Sequence, residues 1–252
     1  MDNLVKKFVQ ENWKKRNYKG NLKAAIQEYE NLENFKIDQN VESVGGISEE
    51  AHKVMMIVSQ YYMEKVFAAM KIDMNDSNVA GDKGTPYRIV KMWTGKDLGD
   101  ETELMCGRWA DKPRLATFDN DMGSKFPITK QVDVVSVCSH HAAPFSTMFR
   151  DDSYAIVSYI PKDKVLGISK LQRIVDWVAR RGHLQETLTK AIYEEVSKAA
   201  ETDDVAVGLF SLVHTCEKLR GSQANDGAFT SIYYGGKYED ITLRKEVFSI
   251  KN

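Results

Sequence analysis

From residue 129 onward the hydrophobic period of the chain changes twice, and this limits the available folds more than any other feature. Gln131–Cys138 and Ser153–Ile160 are runs rich in valine, isoleucine and tyrosine that read as strands, joined through Asp151-Asp152. Ser169–Arg181 then places Leu171, Ile174, Val175 and Val178 on one helical face. Gly182 interrupts, and Leu184, Leu188, Ile192 and Val196 carry the helical period to Ala200. Two further strands follow. In Asp204–Cys216, Val205, Val207, Leu209, Ser211 and Val213 alternate against Ala206, Gly208, Phe210 and Leu212, and Ala228–Tyr234 is the last. The order strand, strand, helix, helix, strand, strand predicts an α+β domain with both helices on one face of an antiparallel sheet.

Upstream the period is helical. Leu4, Phe8, Val9 and Trp13 form a stripe within Asp2–Tyr18, Gly20-Asn21 interrupts it, and Leu22, Ala25, Ile26, Tyr29 and Leu32 form a second. After a loop through Gly45-Gly46, Ser48 is a good N-cap, with Glu49 and Glu50 in the first turn and Met55, Val58, Tyr62, Val66 and Met70 recurring behind them. His52, a lone histidine near that start, is expected at the surface or in a capping role. Thr85 is expected to cap another helix, with Pro86 at its first position. Residues 94–128, punctuated by Gly95, Gly99, Gly107, Pro113 and Gly123, read as loops with short elements, and Cys106 within them as an ordinary buried thiol. We therefore divide the chain into an N-terminal helical extension, residues 1–47, and a main domain, residues 48–252.

Charge and cysteine usage exclude some functions. A formal net charge of -1 removes any general electrostatic case for nucleic acid or an anionic membrane, and leaves only local basic sites. Cys106, Cys138 and Cys216 are too few and too scattered for a disulfide framework, which fits a reducing compartment. The first residues lack a leader pattern and no run is long and apolar enough for a membrane span, so a cytoplasmic location is expected.

Chemistry concentrates in Cys138-Ser139-His140-His141 and His214-Thr215-Cys216. A catalytic zinc typically takes three protein ligands and keeps a fourth position open, and Cys138, His141 and Cys216 can supply the three. Period-2 geometry then sets His214 beside Cys216, and His140 is held next to the same ion. Both are suited to proton transfer near neutral pH. The spacing alone leaves a second reading open, in which these are half-buried residues at strand ends. The helix beginning at Ser169 offers a hydroxyl, free N–H groups and the cations Lys170 and Arg173 to an anion, with Arg220 a further cation; alone, such a start is also an ordinary cap.

With these residues stand Thr85-Pro86-Tyr87-Arg88, Pro144-Phe145, Tyr159-Ile160-Pro161-Lys162, the block Val165–Val175, Gln185-Glu186-Thr187-Leu188-Thr189 and Arg220-Gly221. Together, over residues 48–250, they make the chain resemble the GTP cyclohydrolase I family. The resemblance implies a zinc-dependent hydrolase of the tunnelling fold, with the metal on Cys138, His141 and Cys216 activating the water that attacks C8 of the guanine of GTP. It assigns the acid–base steps of ring opening, formate release and closure to 7,8-dihydroneopterin triphosphate to His140 and His214. It gives Glu186 the guanine edge, with Gln185 assisting near the ribose or base. The triphosphate falls to Ser169, Lys170, Arg173 and Arg220, joined by Arg88 from a neighbouring segment. It also implies a homo-oligomer, a ring-shaped decamer, with sites between subunits.

Three features depart from the family pattern. Ser139 stands where the family has glutamate, the usually threonine-rich stretch after Gly221 reads Ser222-Gln223-Ala224-Asn225-Asp226, and the loop 145–152 is longer. They keep two alternatives in view: a tunnelling-fold enzyme for another purine or pterin, and a non-catalytic zinc- and nucleotide-binding homologue.

Overall fold

A computed structural model of the chain describes residues 1–95, 103–219 and 227–250. It divides into two compact units, Met1–Asp111 and Lys112–Asn252. This division by compactness falls later in the chain than the expected division by role at residue 47/48.

The first unit is helical. α1 (Asn3–Lys15) is capped by Asp2, α2 (Leu22–Asn31) by Asn21 and α3 (Glu49–Ala69) by Ser48, each through a side-chain oxygen accepting from a backbone N–H of the first turn. Val5, Val9 and Trp13 of α1, Ala25 of α2, and Val54, Ile57 and Val58 of α3 form the core, each aliphatic side chain contributing roughly 1.5–3 kcal/mol. The stripes expected from the sequence are partly displaced: Val5 rather than Leu4 is buried, and Tyr62, Val66 and Met70 are exposed. Two further expectations are corrected. His52 is fully buried, with Nε2 2.8 Å from the Thr94 carbonyl oxygen and its ring tilted against Trp109. In α4 (Thr85–Thr94) the N-cap is Gly84, and the Thr85 hydroxyl instead donates to Asn78 O. A Cβ at Gly84 would lie 2.1 Å from Val79 O, so the chain passes too close there for a larger residue.

The second unit has the α+β architecture expected. Its strands are β1 (Thr117–Asp119), β2 (Ile128–Val132), β3 (Val135–Cys138), β4 (Ala143–Ser146), β5 (Tyr154–Tyr159), β6 (Lys164–Leu166), β7 (Gly182–His183), β8 (Val205–His214) and β9 (Phe229–Tyr234). β2, β5, β8 and β9 lie side by side, all antiparallel. The far end of β8 pairs with β4, which continues through β3 to a two-residue parallel pairing with β7. α5 (Lys170–Ala179) and α6 (Gln185–Ala200) cover one face, where Leu171, Ile174, Val175, Leu188, Ile192 and Val196 meet Val157, Val205, Val207 and Leu209. On Ile156 and Ala206 packs a second cluster with Tyr238 and Val247, the latter from α8 (Ile241–Phe248), an element the sequence pattern did not show.

Two strand boundaries differ from the reading. The run Gln131–Cys138 is broken between β2 and β3, where the Gln172 side chain takes both backbone groups of Asp133, accepting from its N–H and donating to its carbonyl at 2.9 Å each. β8 ends at His214, and a helical turn, α7 (Thr215–Lys218), carries Cys216.

Candidate metal and substrate site

Three segments of the second unit build the site. β3 and β4 form a hairpin whose last pair is Cys138–Ala143. The Cys138 carbonyl accepts from His141 N at 3.3 Å and Ala142 N at 2.9 Å, and Ala142 closes the turn with φ of 50°. Cys138 is thereby buried at the strand end while His140 and His141 stand exposed on the turn, their ring centroids 6.1 Å apart. Behind the hairpin the His183 carbonyl accepts from Ser139 N at 3.0 Å, which fixes the start of the turn.

β8 delivers the second cluster, by a route that strict alternation does not anticipate. Between Leu209 and Leu212 the pairing with β9 slips: Leu209 faces Ser231 and Leu212 faces Phe229, so three steps on β8 match two on β9. Ser211 takes φ of 54° at this bulge, its N–H donating to Thr230 Oγ1 and its carbonyl accepting from Ser153 Oγ. Val205, Val207 and Leu209 face the helices before the bulge and Leu212 after it, and His214 shares the face of Leu212. His214 pairs across strands with Phe145, the rings stacked at 4.4 Å. The α7 turn is tied down by the Thr215 hydroxyl donating to Pro144 O at 2.7 Å.

The ligand atoms of Cys138, His214 and Cys216 all lie within 4.8 Å of one another. None of the three cysteines is in a disulfide. Two thiols and an imidazole held this close without a disulfide suit a borderline-soft divalent ion such as zinc. Burial pushes the Cys216 thiol above its ordinary value, and the adjacent Cys138 thiol adds to this. Burial pushes the His214 imidazole down, against weaker upward pulls from Glu186 and Glu217. His141 is not in this group; the structure leaves it on the exposed turn beside it.

The remaining expected residues fall into four sets. Glu186 is exposed in the first turn of α6, close enough to His214 to act on its charge. Ser169 and Arg173 are exposed and Lys170 half-exposed at the start of α5, where Ser169 makes no side-chain cap and so leaves the helix N-terminus open. Arg88 belongs to the first unit, exposed on α4 with Nε donating to Lys83 O, and Arg220 lies outside the described residues. Gln185 stands apart: it is only 1 % exposed and its amide is engaged entirely inside the protein. Sequence reasoning missed Lys130, on β2, whose ammonium donates to Ile168 O at 3.0 Å and adds a cation at the approach to α5. An isolated lysine in a strand carries no signal for this.

An antiparallel sheet with helices on one face, carrying a sulfur–nitrogen cluster where two of its strands end, defines an α+β protein with a site that can hold a metal ion. A sequence model of the GTP cyclohydrolase I family matches residues 60–252. Relatives named GTP cyclohydrolase 1 include one from Flavobacterium johnsoniae, 31% identical over 185 residues, covering 73% of this chain and 76% of that one. Another, from Shewanella baltica strain OS185, is 31% identical over 191 residues, covering 75% of this chain and 81% of that one. The chain belongs to the GTP cyclohydrolase I family. Among solved structures, an archaeosine synthase QueF-Like in the apo form aligns over 44% of this chain and 93% of that one, at 21% identity and a TM-score of 0.33, too low to bear on fold or function.

Proposed function

We propose that the protein is a zinc-dependent GTP cyclohydrolase I, opening the guanine imidazole ring of GTP by hydrolysis, releasing formate and closing the product to 7,8-dihydroneopterin triphosphate. The observation that carries this is the convergence of Cys138, His214 and Cys216 within 4.8 Å, inside the part of the chain the family matches. Cys138, Cys216 and His141 hold the zinc, which when bound supplies a hydrolytic water near neutral pH. His214 and His140 move protons to and from the opening ring. Glu186 reads the guanine edge. Ser169, Lys170 and Arg173 bind the triphosphate at the open start of α5, where N–H groups and helix dipole favour an anion, with Arg220 and Arg88 as further cations. Residues 48–252 form the catalytic part and residues 1–47 an extension to it. Among the described residues no helix is long and apolar enough to cross a membrane; three cysteines outside any disulfide support a cytoplasmic enzyme.

The exposure of His140, His141, Ser169 and Arg173 in a single chain supports a site completed by a second subunit, in a homo-oligomer of the decameric kind. The decisive assay incubates zinc-loaded protein with GTP and measures formate and, after oxidation, a fluorescent pterin. Both are expected in equal amounts; neither appearing, with zinc bound and the oligomer intact, overturns the reading.

A further inference from the structure

Behind His214 lies a closed set of buried hydrogen bonds whose protons can all be assigned. Thr189 Oγ1 is 2.8 Å from the Gln185 backbone carbonyl, which can only accept, so the Thr189 hydroxyl donates there. Ser231 Oγ is 2.6 Å from Thr189 Oγ1, whose proton is already used, so Ser231 is the donor in that pair. The Ser231 oxygen is then left to accept from Gln185 Nε2 at 3.1 Å, and the same amide nitrogen donates to the Phe229 carbonyl at 3.1 Å. With the nitrogen of the Gln185 amide pinned by a carbonyl that cannot donate, Oε1 must face His214 Nε2, 2.8 Å away. An amide oxygen only accepts, so that ring nitrogen carries a proton. Gln185 and Thr189 are each 1 % exposed and Ser231 9 %, so water does not substitute for any of these three.

We propose that Gln185 is a positioning residue that, seated by Ser231 and Thr189, holds the His214 ring as its Nε2–H tautomer, so that every proton His214 exchanges passes through Nδ1. Phe145, stacked on the ring at 4.4 Å and 10°, fixes its plane, and Gln185 fixes its rotation within that plane. The amide cannot take the Nε2 proton, and it accepts from the neutral ring and, more strongly, from the imidazolium, so the arrangement persists through proton transfer. β9 has two tasks here: Thr230 caps the bulge that brings His214 to the helix face, and Ser231 seats the amide that orients it. The catalytic importance of this orientation rests on the proposed role of His214, whereas the tautomer itself does not.

The test separates the two. Solid-state nitrogen NMR on zinc-loaded protein labelled in its five histidines, differenced against His214→Ala, isolates the His214 ring. A protonated Nε2 and an unprotonated Nδ1 are expected, and a protonated Nδ1 with a bare Nε2 overturns the proposal. Gln185→Met, which keeps length but removes both amide atoms, is expected to mix the tautomers and to lower kcat by about 100-fold, the scale of a lost acid–base group. KM for GTP and zinc content should stay within about twofold, because uniform binding is untouched. Ser231→Ala, a milder change, should lower kcat in the same sense with the same unchanged KM. A rise in KM with Gln185→Met, and no effect of Ser231→Ala, would show that Gln185 contacts substrate instead. A fixed Nε2–H tautomer in a protein that makes no pterin would sink the enzyme reading and leave the tautomer lock standing.

Discussion

His141 and His214 are both candidates for one position in the proposed metal site, and single atoms decide between them. The structure groups His214 with both thiols, and with its Nε2 committed to Gln185 and its ring stacked on Phe145 it offers only Nδ1, to an ion or to a proton. We expect His141→Ala to lose most of its zinc, and His214→Ala to keep most of it while losing turnover by about 100-fold or more. Zinc measured by atomic absorption after dialysis checks both, and the reverse pattern would make His214 the ligand. The approach of Cys138, His214 and Cys216 was legible because few residue types suit a metal ion and these adjoin one another in two short clusters. Gln185 was not legible behind His214, because its partners are set by tertiary approach, 29 residues away at His214 and 46 at Ser231. His52 misled for the same reason: a histidine on a helix shows nothing of a carbonyl 42 residues on.

At the scale of elements, strand and helix periods located the sheet and its two covering helices, but not the points where a strand changes partner. Alternation runs unbroken through Val132 and Val134, so the break between β2 and β3 is invisible until Gln172 is seen to satisfy Asp133. The β8 bulge is likewise hidden, and it sets the face of His214. Ser211 sits in the left-handed region, where a β-branched residue costs roughly 1–3 kcal/mol. Ser211→Val should therefore lose stability of that order in urea unfolding and displace His214, whereas Ser211→Gly should be neutral or slightly stabilising. On α6, burial raises the Glu195 carboxyl, but hydrogen bonds from Lys112 and Lys198 at 2.7 and 2.8 Å outweigh it and hold the group below its ordinary 4.5. A depressed folded value means the contribution is present above 4.5 and fades as the pH falls through the lower, folded one. Relative to Glu195→Gln, the native chain should be more stable by about 0.5–1 kcal/mol at neutral pH, and thermal melts should converge as the solution is acidified.

At the scale of the whole molecule, several large apolar side chains of the described residues stand open to solvent. Met122 is 95 % exposed, Phe126 78 % and Ile168 86 %, the last immediately before Ser169 at the proposed triphosphate site. Tyr62 and Val66 on α3 and Met70 at its C-cap form an open stripe. Periodicity marked that stripe as a packing face, whereas the first unit's own core leaves it exposed, because pattern encodes apolarity and not the identity of a covering surface. Subunit number is illegible for the same reason. If other copies cover these residues, sedimentation should show a species several times the 28.6 kDa chain. Replacing Met122 and Phe126 together by aspartate should release smaller species, since charge at a covered apolar contact is costly and charge on an exposed loop is not. The proposed zinc ligands all come from one chain, so the released species should retain zinc and native circular dichroism. They should nevertheless lose formate release, because the proposed site needs residues from a neighbour. Full activity in a species sedimenting as a single chain would show that one chain carries the whole site.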